Sequence, residues 1–339
     1  MRRRAGLGAL IALSFVPLLG TLGILWCLCW LAGLTSLAYG LAAVYLVGDG
    51  YIRLMTRQSR LRYAGVRVSP KAEPALYELI ERTLDRVHAP ALDGVWLEHG
   101  ANAGALVGRR DWLLRRHVGL VLGFLTVIRL DAAALEAVLA HEAGHLTDSD
   151  SLRRSLAARR YRGRRRLSAR TSMATRWYWK WWLRLSREQA IDAERHADAV
   201  AIELTSREIA GEALGETVLA DAIHRWALYR LHEYWQQGVA PSRMRPLYEM
   251  AWDGLSEEAA RRLLDQRVAQ PDAPEDTHPG LAERYTALPA DLKSRPLAAG
   301  LLRHVDHFDR ACTALYTRHT SRHNLEPVEL KRNAPSERT

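Results

Sequence analysis

The stretch 131–145 reads DAAALEAVLAHEAGH. Alanine, leucine and glutamate are strong helix formers and Asp131 suits an N-cap, so the sequence predicts a helix that begins there. Residues four apart share one face of a helix, so His141 and His145 can present two imidazoles to one metal ion. Glu142 lies near enough to take a proton from a water bound to that ion. The HExxH pattern is therefore typical of zinc-dependent peptide hydrolysis.

A third zinc ligand must come from another segment, because catalytic zinc takes three protein ligands and keeps one open position. The run 187–204, REQAIDAERHADAVAIEL, predicts a second helix that could supply it. Its candidate ligands are Glu188, Asp192, Glu194, His196 and Asp198. Spacing does not choose among them, since each could equally be an ordinary exposed charge. The three cysteines, at positions 27, 29 and 312, are too few for a thiolate zinc site or a disulfide framework.

The basic charge of the chain is concentrated in one segment. Lys and Arg exceed Asp and Glu by 48 to 38, giving a net charge of +10. Thirteen of these cations and no acidic residue lie in 152–187, where tryptophans alternate with arginine clusters. Aromatic rings beside cations are typical of the lipid headgroup layer, so we expect this segment to contact anionic lipid. A solvated basic face is the alternative, and nucleic acid is not an expected partner because no reader motif is present.

The N-terminal segment 1–50 is predicted to be a membrane anchor of two transmembrane helices. Residues 5–48 carry no charged side chain. This stretch is about twice as long as the roughly 20 residues that one helix needs to cross a bilayer. Arginines flank this apolar stretch on both sides, so both flanks and the body of the protein should face the cytoplasm. A cleaved export signal or a single span are the alternatives.

The zinc helix and the downstream helix together resemble the HtpX and CAAX prenyl endopeptidase family of integral-membrane zinc peptidases. Glu194, Ala197 and Asp198 fit the E-x-x-A-D string of that family, about fifty residues after the HExxH helix. The resemblance implies that His141, His145 and Glu194 hold one zinc ion per chain, with Glu142 as the general base. It covers roughly residues 70–288.

Further motifs of that family recur in the same order. An Asn-Ala pair before the zinc helix is matched by Asn102 and Ala103, which the resemblance implies bind substrate. A late Thr-His-Pro followed by Arg is matched at 277–279 and Arg284, so His278 and Arg284 are expected at the active site, where either could steady the oxyanion. His278 could instead close over the zinc as a regulator. An Asp soon after the second histidine is available at 148 and 150.

Two departures from the family pattern bear on these assignments. Family members often place a Ser-Arg pair four residues before the ligand Glu, whereas here the pair at 186–187 lies eight residues before Glu194. Glu188 and Asp192 therefore stay open as alternative ligands. Many members also have additional spans between the zinc helices, where this chain has the basic segment 152–187.

The expected fold is mainly α with a small β-sheet, an α+β domain of the zincin type behind the transmembrane hairpin. Residues 51–324 should form the catalytic domain and 325–339 a flexible tail. We expect an amphipathic helix near 72–87, strand-like runs at 94–97 and 118–128, and an edge strand near 102–107. The family resemblance implies that this edge strand could pair with extended substrate.

The function expected from sequence is that of a cell-membrane zinc metalloendopeptidase that cleaves membrane or misfolded proteins. The alternative is a catalytically silent membrane scaffold, or a sensor that cuts a single partner, on the same fold. The intact His141, Glu142 and His145 argue against a silent relative, which would be free to lose the glutamate. Oligomeric state does not follow from the sequence.

Overall fold

The protein folds as a mainly helical α+β domain with a small mixed sheet. The computed structural model describes residues 65–109, 116–147, 191–270, 281–284, 301–320 and 326–328. The predicted anchor, the basic segment 152–187 and His278 lie outside these ranges. No helix in the described ranges is both long and apolar enough to cross a membrane.

The main sheet has four strands in the order β1-β2-β4-β3. They are β1 (Val66–Val68), β2 (Gly94–Glu98), β3 (Ala103–Arg109) and β4 (Arg116–Gly123). β2 and β4 run parallel, whereas β1 and β3 lie antiparallel to their neighbours. β3 therefore forms an edge of this sheet, as predicted for the region near 102–107.

The apolar run 118–128 is only half strand, so the prediction of a strand along its whole length was wrong. β4 ends at Gly123, and α2 (Phe124–Arg129) follows at once. Every residue of α2 is buried, so this stretch has no polar face that would reveal its period in the sequence. The Leu125 N–H donates to the Gly100 carbonyl, 2.9 Å away, and so fixes the start of the helix against the preceding strand connection.

Four helices build the scaffold around the sheet. α1 (Pro74–Arg86) matches the predicted amphipathic helix, and α3 (Ala132–Thr147) carries the HExxH residues. Asp131 caps α3 as predicted, because its Oδ1 accepts the Ala134 N–H at 2.8 Å. α4 is described over 191–204. α5 (Arg207–Gln236) follows, with the Ser206 hydroxyl accepting the Ile209 N–H as its cap.

The C-terminal elements follow α5 in the chain. They comprise α6 (Arg245–Gly254), α7 (Glu257–Ala269), α8 (Leu281–Arg284), α9 (Val305–Thr320) and a two-stranded parallel sheet of β5 (Val239–Pro241) and β6 (Glu326–Val328). β6 lies within the predicted tail 325–339, and the rest of that tail is outside the described residues. One large cluster of buried side chains joins the main sheet, α1, α3, α5, α6 and α9.

A buried ion pair crosses this core. The Arg129 Nε donates to Glu216 Oε2 at 2.8 Å, and both side chains are almost fully buried. The guanidinium also lies over the Trp252 ring, 3.6 Å from its centroid. These contacts link α2, α5 and α6, and removal of either partner would leave an uncompensated buried charge.

Two histidines lie in an aromatic cluster of the core. His99 stacks on Tyr316 with ring centroids 4.2 Å apart and contacts His224 at 4.9 Å. Neither ring nitrogen of His99 has a hydrogen-bond partner among the described residues. Burial lowers the pKa of His99 to about 3 and that of His224 to about 4. Both imidazoles are therefore neutral in the folded protein at neutral pH.

We predict that replacement of His99 by Phe weakens the dependence of stability on acid. Because the folded pKa is depressed, the unfolded chain binds a proton below about pH 6.5 that the folded chain does not. Stability is then lost as the pH falls from about 6.5 toward 3, by at most about 1.4 kcal/mol per pH unit for His99. Denaturant unfolding of the detergent-purified chain between pH 7 and 4 measures this slope.

The matched control is the same change at the exposed His307 of α9. His307→Phe should keep the slope of the unaltered chain, whereas His99→Phe should flatten it. Equal slopes for the two variants would show that His99 is protonated in the folded protein.

Candidate metal centre

Three donor groups from two helices converge on one point. His141 Nε2 lies 3.3 Å from His145 Nε2 and 3.6 Å from Glu194 Oε2, and His145 Nε2 lies 3.4 Å from Glu194 Oε1. Ligand atoms about 2.0–2.1 Å from a tetrahedral zinc ion stand roughly 3.3–3.4 Å apart. Each pair of groups therefore comes close to the distance that separates two zinc ligands, with Glu194 facing one imidazole through each of its two oxygens.

The helical period places the two histidines, and a second helix supplies the glutamate. His141 and His145 lie one turn apart on α3, and their ring centroids are 4.8 Å apart. Glu194 comes from the first described turn of α4 and is nearly buried, with a side-chain exposure of 8%. The two imidazoles are partly exposed, at 17% and 23%.

Asp198 orients His141 from one turn further along α4. Its Oδ1 lies 2.9 Å from His141 Nδ1, the ring nitrogen that faces away from Glu194. With the proton held on Nδ1 by this carboxylate, the Nε2 lone pair faces the converging donors. Arg284 of α8 in turn donates to both oxygens of Asp198, at 2.8 and 2.7 Å.

These contacts shift the pKa values of both partners. Burial lowers the pKa of His141, but the hydrogen bond to Asp198 and the nearby Glu142 charge outweigh burial and leave that pKa raised. Burial would raise the pKa of Asp198, yet the hydrogen bonds from His141 and Arg284 hold it well below its usual range. Asp198 is therefore a carboxylate at every physiological pH.

Glu142 connects the metal centre to the edge strand. Its Oε2 accepts the backbone N–H of Ala105 in β3 at 2.8 Å. The general-base candidate, adjacent to His141 in the chain, thus contacts the edge strand. Asn102 is exposed just before β3, and Ala103 is its first residue, paired in register with Leu122 of β4.

The remaining ligand candidates of α4 lie away from this point. Asp192 is 41% exposed and forms an ion pair with Arg195 on the same helix, 3.8 Å away. The His196 Nε2 lies 3.4 Å from the Thr147 hydroxyl instead. Glu188 and the aspartates at 148 and 150 fall outside the described residues, as does His278. Among the described residues, only the group of His141, His145 and Glu194 could hold a metal through three such side chains.

Two site contacts were not predicted from the sequence. The sequence did contain a sign of the contact between Asp198 and His141, because Asp198 follows Glu194 by four residues and so lies on the same face of α4. The sequence contained no sign of the contact between Glu142 and the Ala105 N–H, since every residue type except proline has such a backbone donor. Arg284 was expected at the active site, and the structure shows its guanidinium engaged by Asp198 and 3.9 Å from Glu194.

Comparison with known families and proteins agrees with this geometry. A model of peptidase family M48 matches residues 70–291, well over half of the chain. The chain belongs to peptidase family M48. The match and the relatives described next make it an HtpX-like member of this family.

Curated relatives of this M48 protein carry the name "Protease HtpX homolog". The relative from Trichormus variabilis is 30% identical over 156 residues, which are 44% of this chain and 46% of the relative. That from Acaryochloris marina is 31% identical over 123 residues, 35% of this chain and 39% of the relative. The matched stretch thus spans less than half of each relative. No solved structure matches the chain.

Proposed function

We propose that this M48 chain is a zinc-dependent endopeptidase. One observation carries the proposal: His141, His145 and Glu194 approach one another pairwise to 3.3–3.6 Å, counting both oxygens of Glu194, which is close to the separation of zinc ligands. The orientation of His141 by a partly buried, ionised Asp198 supports it, because metal-binding imidazoles typically donate their second N–H to a carboxylate.

The residues divide the chemistry between them. His141, His145 and Glu194 would hold the zinc ion, which when bound polarises a carbonyl and lowers the pKa of water toward neutrality. Glu142 would accept the proton of the attacking water and later donate it to the leaving amine. Its position beside Ala105 keeps this carboxylate between the metal centre and the strand that we propose binds substrate.

Substrate would bind as an added strand on β3. β3 is an edge strand, and the N–H of Ala105 is directed at Glu142 rather than at β4. An extended peptide would pair with other outward backbone groups of this edge, and such backbone pairing tolerates many different side chains. Asn102 and Ala103 would contribute at the start of this edge. Substrates of the class proposed are thus unfolded or extended protein segments.

The remaining assignments are also proposals. Residues 1–50 would anchor the catalytic domain by two transmembrane helices, with the domain in the cytoplasm and the basic segment 152–187 on anionic lipid. His278 and Arg284 would complete the active site, and the contacts of Arg284 with Asp198 support a positioning role for it. Cysteine-accessibility labelling that finds the catalytic domain outside the cell would contradict this topology.

Cleavage of casein by the detergent-purified chain tests the proposed function. The chain should cleave casein, lose this activity to a zinc chelator and regain it when zinc is added. Persistent activity in the chelated protein would contradict zinc catalysis, and a zinc-loaded chain without any activity would support the silent scaffold.

We predict that Asp198→Asn weakens zinc binding by about 10- to 100-fold, as is typical when a carboxylate behind a metal-binding histidine is changed. The amide can still accept the His141 N–H, but it lacks the charge that both His141 and Arg284 contact. Zinc affinity is measured by competition with a chromophoric chelator. Asp192→Asn, on the same helix but exposed, is the control and should bind zinc like the unaltered chain.

A further inference from the structure

Gly144 lies within the HExxH turn and faces α4. A Cβ placed on Gly144 would lie 2.8 Å from the Ala197 Cα, 3.3 Å from its Cβ and 3.4 Å from the Val200 Cβ. The first distance is shorter than real Cβ contacts, and the atom it meets is backbone, which cannot rotate away. Any side chain at position 144 would therefore have to push α4 away from α3.

The partner of this contact lies between the two groups that α4 brings to the metal centre. Ala197 is fully buried, follows Glu194 by three residues and directly precedes Asp198. Glu194 lies 3.4 and 3.6 Å from the two imidazoles, and Asp198 lies 2.9 Å from His141 Nδ1. A change in the spacing of α3 and α4 at Ala197 would alter all three distances together.

We infer that the Gly144–Ala197 contact sets the distance between the ligand-bearing helices and so tunes the affinity of the site for zinc. Gly144 and Ala197 are positioning residues, because neither belongs to the group of three side chains that could hold the metal. The inference rests on the proposed zinc site. It explains why the residue before His145 lacks a side chain although glycine weakens a helix interior.

Gly144→Ala separates the effect of helix propensity on stability from the effect of helix positioning on zinc affinity. Alanine stabilises a helix relative to glycine, so without the contact the variant should be at least as stable as the unaltered chain. If the contact positions α4, zinc affinity should fall by about 10- to 100-fold, as it does when partners behind metal ligands are disturbed. Gly254→Ala, at the end of α6 where nothing lies within 4 Å of the added carbon, is the matched control.

The experiment measures zinc affinity of the full detergent-purified chain by chelator competition, and the thermal unfolding midpoint of the zinc-free chain. Ala197→Ser, a milder enlargement from the α4 side, should weaken zinc binding in the same direction. The Gly254→Ala control should leave zinc affinity unchanged.

Two outcomes separate the inference from the function on which it rests. Unchanged zinc affinity in folded Gly144→Ala, or in Ala197→Ser should the first variant not fold, would overturn the positioning role, even if the zinc-free protein is destabilised. Absence of zinc binding by the unaltered chain would overturn the proposed function instead.

Discussion

Glu142→Gln should abolish casein cleavage while the zinc ion stays bound. The amide keeps the size and shape of the side chain but cannot accept a proton, and loss of a general base typically costs about 10²- to 10⁴-fold in rate. His141, His145 and Glu194 are untouched by the change, so zinc stoichiometry should remain one per chain. Cleavage rate and zinc content are measured on the same preparation.

A second glutamate of α3 provides the control for this experiment. Glu136 is paired with Arg86 at 3.1 Å, on a part of the helix away from the metal centre. Glu136→Gln should cleave casein at close to the unaltered rate. Substantial cleavage by Glu142→Gln would remove Glu142 as the base and leave its contact with the Ala105 N–H as a structural one.

Glu194→Gln should lose zinc binding and, with it, activity. A neutral amide is a far weaker zinc ligand than a carboxylate, so the loss of affinity should exceed the 10- to 100-fold expected of partners behind the ligands. The substitution keeps the volume of a nearly buried side chain, so the fold should survive it. Chelator competition measures the affinity.

Asp192→Asn, two residues earlier on the same helix, is the control for this prediction. Asp192 is exposed and interacts with Arg195, so its neutralisation should leave zinc affinity unchanged. The opposite pattern, with zinc lost from Asp192→Asn and kept by Glu194→Gln, would move the third ligand away from Glu194.

Local sequence patterns predicted part of the fold and the histidine pair of the site. The helix from Asp131, its cap and the facing histidine pair follow from propensity and from the four-residue period, which act within one helix. The amphipathic helix near 72–87 follows in the same way. Such features need no knowledge of how distant segments pack.

Features that depend on packing between helices were not predictable from these patterns. Glu194, Asp192 and Asp198 are all carboxylates on one helix, and only the approach of α4 to α3 distinguishes them. That approach depends on the absence of a side chain at Gly144, whose contact with Ala197 spans fifty-three residues of sequence. The helical half of 118–128 was missed because a fully buried run shows no period.

Titration of the zinc-stripped chain with zinc, followed by both zinc binding and casein cleavage, tests the zinc-peptidase account most directly. Binding and cleavage should rise together and reach their maximum at one zinc ion per chain, because one group of three ligands holds the ion and activates the reaction. Cleavage that is complete before zinc is added, or that does not appear when one equivalent is bound, would contradict the account.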